Sequence, residues 1–339
     1  MKKSTKTLLQ GLFLLLLIVG TVWVIRDANQ PKPFRTTEGK IFGTYYHITY
    51  QSRDHLEIGI LKTMNDVDRS LSTFNKESTI SLINLNRSKA TDPMFCEVFS
   101  KAMEVARNTR GAFDITVAPL VNAWGFGFKN KENITDNLID SIMHFVGYGK
   151  IRLLTDKKIE KDDPRLMLDC SGIAKGYGCD RVAQFLESKG VENYMVEIGG
   201  EICAHGQNSK AQPWTVGISS PKEDSLTTVV PLQSVLALTN QSLATSGNYR
   251  NFYYEGGKKY AHTIDPHSGH PVQHSLLSAT VIAPTCAEAD AYATAFMVMG
   301  IDSAKSLLAR SPQLKAYFIC TDSTDEYVVW HSDGLNILQ

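Results

Sequence analysis

The 339-residue sequence has no excess of either charge, since lysine plus arginine and aspartate plus glutamate number 35 each. A protein that binds a long polyanion usually carries a basic surplus, so nucleic acid is not an expected partner. Its six cysteines form no Cys-x-x-Cys pair, which argues against a structural zinc site. The sequence also lacks internal repeats and low-complexity runs, and its 43% of hydrophobic residues suffice for a large core.

The N-terminal 26 residues have the pattern of an export signal. The stretch from Leu8 to Ile25 carries no charge, and it follows a head that contains three lysines. No small-residue cleavage site follows, which favours an uncleaved anchor over a cleaved peptide. Because positive residues stay cytoplasmic, we expect an inner-membrane protein whose remaining chain lies on the periplasmic side.

Three segments follow from this pattern: a signal or anchor at 1–26, a tether at 27–40, and one globular catalytic unit at 41–339. Proline and glycine in the second segment indicate a linker, and no further linker follows. Apolar residues at helical spacing predict amphipathic helices at 56–71 and 98–106. Short apolar runs predict strands at 46–50, 165–168, 194–198, 214–218, 278–283, 316–320 and 327–330. Since no regular βαβ alternation appears, we expect an α+β fold rather than a doubly wound parallel sheet.

A buried helix is predicted near residue 290. Thr285 and Glu288 form a capping box that starts it, and Gly300 is expected to stop it. Asp290 and Thr294 lie four residues apart and therefore share one face of this apolar helix. A buried carboxylate needs a partner or a cation, and a hard cation with oxygen ligands would satisfy it. The alternative is an aspartate that faces solvent or bonds a neighbouring backbone group.

The segment Asp169-Cys-Ser-Gly-Ile-Ala-Lys-Gly-Tyr-Gly leads from a predicted strand into a helix. Its glycines let backbone amides approach a ligand, and Lys175 supplies a positive charge, so a phosphate could dock at this helix start. The spacing does not fit a Walker loop. A simple strand-to-helix turn is the alternative interpretation.

Three further segments allow either a ligand-facing loop or an ordinary turn. Gly199-Gly200-Glu201 and Thr245-Ser246-Gly247-Asn248 each follow an apolar run. His262 and Asp265 lie three residues apart at the edge of a predicted strand. His262 is a candidate general base, with Asp265 as the next candidate, although a lone histidine is more often structural.

These segments together resemble the ApbE family of FAD:protein FMN transferases across nearly the whole globular part. The matching segments are, in chain order, Gly43-Thr44, 71–86, 111–121 with Trp124-Gly125, 169–180, 199–201, 245–247, 262–266 and 290–294. Two positions depart from the family pattern: Glu201 stands where aspartate is frequent, and Phe74 where an aromatic residue with a hydroxyl is common. Glutamate can still accept hydrogen bonds, and phenylalanine can still stack on a flavin.

The resemblance implies a T-fold-related architecture of mixed, largely antiparallel sheets with packed helices. It also implies a Mg²⁺ site formed by Asp290, Thr294 and the carbonyl of Ala174. His262 and Lys175 become the catalytic residues. The implied contacts with FAD are Phe74, Asp114, Lys175, Glu201, Ser246, Gly247 and His262.

The implied reaction is magnesium-dependent transfer of FMN from FAD to a threonine or serine hydroxyl, through a phosphoester bond, with release of AMP. The acceptor would be an exported flavoprotein such as a subunit of a membrane redox pump. Magnesium and Lys175 would stabilise charge on the leaving phosphate, and His262 would accept the hydroxyl proton. The alternatives are an FAD pyrophosphatase that gives FMN and AMP, and a non-catalytic FAD-binding protein.

Overall fold

The computed structural model describes residues 2–28, 30–127, 134–220, 232–248, 252–255, 258–324 and 326–338. Within these ranges the α-helices are Lys2–Ala28 (α1), Glu57–Leu71 (α2), Thr79–Asn84 (α3), Pro93–Asn108 (α4), Ala118–Ala123 (α5), Asp136–Met143 (α6), Ser171–Ser188 (α7) and Cys286–Leu308 (α8). A 3₁₀ turn covers Tyr148–Lys150.

The strands of the same ranges are Phe34–Ile41 (β1), Thr44–Gln51 (β2), Ile151–Leu153 (β3), Ile159–Lys161 (β4), Tyr194–Ile198 (β5), Glu201–His205 (β6), Trp214–Ser219 (β7), Leu232–Leu238 (β8), Gln241–Gly247 (β9), Phe252–Glu255 (β10), Lys258–Ala261 (β11), Leu276–Ala283 (β12), Lys315–Thr321 (β13) and Tyr327–His331 (β14). Helices and antiparallel strands therefore mix along the chain, which confirms the predicted α+β class.

One eight-stranded sheet organises the molecule, in the order β1-β2-β5-β6-β9-β12-β13-β14. Every neighbouring pair in it is antiparallel. Three two-stranded ribbons accompany it, formed by β3 with β4, β7 with β8, and β10 with β11.

The period of two along the central strands gives the sheet two buried faces. On β13, Ala316 and Phe318 belong to the core that includes α4 and α8, whereas Tyr317 and Ile319 pack with the β7–β8 ribbon. Helices α2 and α7 pack on the same face of the sheet as α4 and α8, and they cover its strands β2 and β5. The layers are therefore helices, sheet and ribbon.

Helices α7 and α8 pack closely, and their contact sets the geometry of the site. A Cβ atom on Gly176 would lie 2.3 Å from the Cys286 carbonyl oxygen, so only glycine allows this approach. The Asp180 carboxylate on α7 accepts the backbone N–H groups of Cys286 at 2.8 Å and Ala287 at 2.9 Å. It thereby satisfies two donors at the N-terminus of α8.

Half of the predicted capping box is observed: the Thr285 side chain accepts the N–H of Glu288 at 3.3 Å, whereas the Glu288 carboxylate pairs with Lys101 at 2.7 Å. The backbone leaves the helical conformation at Gly300, which has a φ of 72°, as its predicted role as a stop requires. A helix then resumes and continues to Leu308. The predicted helices at 56–71 and 98–106 correspond to α2 and to part of α4.

Two expectations about local structure are wrong. Residues 34–40 of the tether predicted for 27–40 belong to the edge strand β1 (Phe34–Ile41), which pairs with β2 along its whole length. The strand predicted for 165–168 forms only an isolated bridge between Met167 and Val117. Asn84 takes the place of a neighbouring strand there, because its amide accepts the Leu168 N–H at 2.7 Å and donates to the Leu168 carbonyl at 2.8 Å.

The N-terminal segment is helical from Lys2 to Ala28. Across the described residues, however, no helix combines the length and the apolar character that a membrane span requires. The predicted anchor is therefore not confirmed, and the periplasmic location stays a prediction.

Candidate active site

A cavity of about 810 Å³ opens where the start of α7, the middle of α8 and the β5–β6 turn converge. Most of the residues predicted to form the site line this cavity. They are Asp114, Lys175, Glu201, Ser246, Gly247, His262, Asp290 and Thr294. Segments separated by up to about two hundred residues in sequence are therefore brought together as the motifs predicted.

A charged cluster lies at the wall formed by α7, α8 and β6. The Lys175 ammonium is 3.1 Å from Glu201 Oε1 and 3.8 Å from Asp290 Oδ1. Asp290 Oδ2 accepts the backbone N–H of Gly176 at 3.0 Å, one residue beyond Lys175. Both carboxylates are buried, with 3% exposure for Glu201 and 2% for Asp290. The cluster thus joins two buried carboxyl groups to one ammonium on a partly exposed side chain.

Burial controls the protonation of this cluster. It raises the pKa of Glu201 to about 8, although the charge of Lys175 pulls in the opposite direction. Burial likewise raises the pKa of Asp290, against the pull of Lys175 and the Gly176 N–H. Burial alone would lower the pKa of Lys175, but the two carboxylates outweigh it and hold that pKa above its ordinary value. One ammonium cannot neutralise two buried carboxylates, so the fold favours a proton on one of them.

Glu201 reaches the cavity because of the glycine pair before it. Gly199 and Gly200 have φ values of 65° and 98°, and they form the two-residue loop between β5 and β6. Positive φ at both central positions is the requirement of a type I′ hairpin turn. The sequence allowed either an ordinary turn or a ligand-facing loop for Gly199-Gly200-Glu201, and the segment is both. Glu201 Oε2 is buried without a hydrogen-bond partner in the described part of the chain, so it remains available to a ligand.

Oxygen donors for a cation lie beside this cluster. Thr294 Oγ1 is 3.3 Å from Ser246 Oγ, and Asp290 lies one helical turn earlier on the same face of α8. A Cβ on Gly172 would lie 2.9 Å from Thr294 Oγ1, so this glycine allows α7 to approach the threonine. Hard oxygen atoms of this kind suit Mg²⁺, which is commonly held by one or two carboxylates together with substrate phosphates.

The predicted third ligand of magnesium, the carbonyl of Ala174, is less well placed than Asp290 and Thr294. Ala174 is partly buried on α7 and is not among the described residues that line the cavity. The described chain also contains no group of three or more histidine, cysteine, aspartate or glutamate side chains arranged to hold a metal. The residues present thus fit a magnesium ion that enters with phosphates, rather than one held by protein side chains alone.

His262 belongs to the loop after β11 and lines the cavity together with Thr263 and Ile264. Its ring meets Phe126 edge-on, with 6.4 Å between the ring centroids. Thr263 Oγ1 donates to Asn248 Oδ1 at 2.6 Å, which ties this loop to the segment that follows β9. An imidazole in this wall can accept a proton from a group bound in the cavity.

Asp114 lines the cavity, but its carboxylate is occupied within the protein. One oxygen accepts the N–H and the O–H of Thr116 at 2.8 and 2.7 Å, and the other accepts the Tyr148 N–H at 2.7 Å. Burial raises its pKa against these bonds. The geometry therefore favours a role in shaping the wall rather than the predicted direct contact with FAD.

Two other sequence expectations need correction. Phe74 is 80% exposed in the turn between α2 and α3, and the described cavity wall does not include it. The bonds of that turn explain why, because Ser78 and Ser81 both donate to the Ser72 carbonyl and build a compact polar turn with Phe74 outside it. Asp265 is not among the described residues that line the cavity, and it accepts hydrogen bonds from His267, so it is a poor candidate base.

One part of the wall was not predicted from the sequence. Residues 215–219 of β7 line the cavity, both the less buried Thr215, Gly217 and Ser219 and the buried Val216 and Ile218. Small and polar residues there alternate with Trp214, Val216 and Ile218, which pack into the core with the sheet. This alternation was the available signal, since a strand with one apolar face offers the other face to a ligand or to solvent.

Comparison with known proteins agrees with this geometry. The family model described as "ApbE family" matches residues 42–318. A protein of Haemophilus influenzae named FAD:protein FMN transferase is 38% identical over 300 residues, which cover 83% of this chain and 85% of that protein. A protein of the same name from Escherichia coli K12 is 31% identical over 338 residues, covering 93% and 94%.

Solved structures show the same fold. The flavin transferase ApbE from Vibrio cholerae superposes with a TM-score of 0.80 and 32% identity, over 89% of this chain and 98% of that one. The fold and site thus define a flavin transferase-like architecture, and the family match spans most of the globular part. The chain belongs to the ApbE family.

Proposed function

We propose that this protein transfers the FMN part of FAD to a threonine or serine hydroxyl of another protein and releases AMP. The names of its relatives support this activity. The observation that carries the proposal is the cluster of Lys175, Glu201 and Asp290, which shares one cavity with His262. A phosphoryl transfer needs positive charge near the phosphates and a base near the nucleophile, and this cavity offers both.

The reaction has a simple balance. The acceptor hydroxyl oxygen forms a bond to the phosphorus of the FMN part, and its proton passes to His262. The bond between that phosphorus and the bridging oxygen breaks, and AMP leaves with the electron pair. The Lys175 ammonium lies where it can stabilise negative charge on the phosphates, since the low dielectric of a buried site strengthens such an interaction.

We also propose that Mg²⁺ takes part, held by Asp290 and Thr294 with the substrate phosphates. When bound, magnesium neutralises charge that develops on the phosphate oxygens. Asp290 is already oriented for this role by the Gly176 N–H. Glu201, whose second oxygen has no partner in the described chain, is placed to accept a hydrogen bond from the flavin nucleotide.

The experiment that tests the proposal separates binding from chemistry. His262→Ala should keep its melting temperature and its FAD affinity, measured by calorimetry and by flavin fluorescence quenching. Its single-turnover rate of FMN transfer should fall by about 10²–10⁴-fold, the usual contribution of a positioned base. His331→Ala is the matched control, because His331 is exposed on β14 and stacks on Tyr317 away from the cavity wall.

Two results would contradict the role of His262. If FAD affinity fell in step with the rate, His262 would be a binding residue. If the rate stayed unchanged, His262 would have no part in the chemistry, and the base would have to come from another residue of the cavity.

A further inference from the structure

The loop that carries His262 is fastened to the opposite wall of the cavity by another histidine, His267. Its Nδ1 atom lies 2.9 Å from Asp265 Oδ1, and its Nε2 atom lies 2.8 Å from the carbonyl oxygen of Arg110. A carboxylate and a backbone carbonyl only accept hydrogen bonds. Both ring nitrogens must therefore carry a proton if both contacts are hydrogen bonds, and the ring is then a charged imidazolium.

The backbone on the far side of this contact is shaped to receive the ring. Arg110 and Gly111, just after α4, have φ values of 54° and 90°. A Cβ on Gly111 would lie 3.2 Å from His267 Nε2, so a larger residue would crowd the imidazole. The next residues, Ala112 and Asp114, line the flavin cavity. The contact thus joins the wall around Asp114 to the loop of His262.

The loop does not depend on His267 for its fold. Trp124 Nε1 donates to the Gly269 carbonyl at 2.8 Å, and the Gly269 N–H donates to the Asp265 carbonyl at 2.8 Å. The Asp265 N–H donates to the His270 carbonyl at 2.9 Å. The two backbone bonds close the loop on itself, and Trp124 and Asn248 attach it to neighbouring segments. The His267 contact attaches it in addition to the Arg110 turn.

The charges around His267 favour its protonated form on balance. Asp265 of the same loop and Asp114 of the opposite wall raise its pKa, and so does the bond to the Arg110 carbonyl. Burial is the largest single influence and lowers the pKa of His267, but the other influences together keep that pKa above its ordinary value. Arg110 and Arg310 are the positively charged residues that line the small cleft beside the ring.

We propose that His267 is a positioning residue which, as an imidazolium, fixes the His262 loop onto the Arg110 turn, so that its deprotonation slows FMN transfer. The inference rests on the proposed function for the role of His262. The proposed contact is sensitive to pH and lies five residues in sequence from the candidate base His262. His267 itself would take no part in binding FAD.

The charge state can be measured without any activity. The full chain labelled with ¹⁵N-histidine contains nine histidines, and the signals absent from His267→Gln identify His267. We expect both of its ring nitrogens to be protonated at neutral pH, with a midpoint above the ordinary value of about 6.5. A single-proton tautomer at neutral pH would overturn the proposal whatever the enzyme does.

The effect on transfer is tested by two substitutions. His267→Gln has one donor group, its NH2, and its amide oxygen cannot donate to the second acceptor. We expect its kcat to fall by about 10-fold or more at neutral pH with little change in the KM for FAD, since a small misplacement near the chemistry is costly. His267→Arg keeps a permanent charge and several donors, so it should restore kcat and remove the loss of rate at alkaline pH. Full kcat in His267→Gln, or an unaltered alkaline loss in His267→Arg, would overturn the positioning role.

The ¹⁵N titration and the rate measurements also separate this inference from the proposed function. If the wild-type chain performed no transfer with any protein acceptor, the proposed function would fail, and with it the effect on rate. The ¹⁵N titration would still decide whether the imidazolium contact exists. Melting temperatures of both variants close to that of the wild type exclude misfolding as the cause of a lost rate.

Discussion

Glu201 carries a carboxyl group whose chemistry depends on burial. Its Oε1 pairs with Lys175 at 3.1 Å, while its Oε2 has no partner in the described chain. Burial raises its pKa to about 8, even though Lys175 stabilises the charged form. The neighbouring Asp290 competes for the same ammonium, which is why one carboxylate is left undercompensated.

This predicts a stability that depends on pH in a defined direction. Because the folded-state pKa lies near 8 and the ordinary value is 4.5, the native state holds a proton that the unfolded chain releases. The contribution of Glu201 is therefore fully present below about pH 4.5 and is lost as the pH rises through about 8. Over that window the free energy of unfolding should fall, by at most about 1.4 kcal/mol per pH unit.

Glu201→Gln is the test, since the amide has the shape of the carboxyl but does not titrate. Urea unfolding should be followed for both proteins without metal between about pH 5 and about pH 9. The difference between the two free energies should change with pH, with the wild type losing stability relative to the variant toward alkaline pH. A difference that stays constant would show that Glu201 is ionised throughout the range.

At the scale of elements, the contact between α7 and α8 holds Lys175 and Asp290 together. Gly176 lies against the backbone of Cys286, and Asp180 caps the first turn of α8 from one turn further along α7. The start of α7 is fixed in turn by Asn84, whose amide bonds both backbone groups of Leu168. The 71–86 motif thus positions the start of α7, which carries Lys175, through Asn84. Its Phe74 is not part of the described cavity wall.

Gly176→Ala should separate the two helices, because the new methyl group would lie 2.3 Å from a backbone oxygen that cannot rotate away. Overpacking of this kind typically costs about 1–3 kcal/mol. We expect a lower melting temperature and, since Asp290 bonds the Gly176 N–H, a lower rate of FMN transfer.

Gly149→Ala is the matched control, since no atom lies within 4 Å of the Cβ that it would add. Its stability should stay within about 0.5 kcal/mol of the wild type. Equal effects of the two substitutions would contradict the importance of the α7–α8 contact.

At the scale of the whole molecule, the sequence was informative where local pattern and tertiary role coincide. The predicted strand 194–198 matches β5 in full, and the predicted N-cap Thr285 marks the start of α8. The motif residues around the cavity were found because polar groups in apolar settings need a functional reason. The antiparallel order of the main sheet followed from no local signal, since register depends on contacts between distant segments.

The features that the sequence did not predict also depend on contacts between distant segments. The strand β1 contains few apolar residues, and its place in the sheet comes from pairing with β2 rather than from its own composition. The segment 165–168 has strand-like residues, but the side chain of Asn84, about eighty residues earlier, takes the hydrogen bonds of a neighbouring strand. His267 carried no distinctive pattern, because the two acceptors around its ring are brought together only by the fold.

The central claim is that this cavity moves FMN from FAD onto a protein hydroxyl, and the acceptor's mass tests it most directly. The full chain should be incubated with FAD, Mg²⁺ and a candidate acceptor protein, with a parallel sample that contains a metal chelator. The account predicts that the acceptor gains the mass of one esterified FMN on a threonine or serine, that AMP appears in equal amount, and that the chelator prevents both. Release of FMN and AMP with an unmodified acceptor would indicate an FAD pyrophosphatase and contradict the claim, as would FAD that binds and is never cleaved.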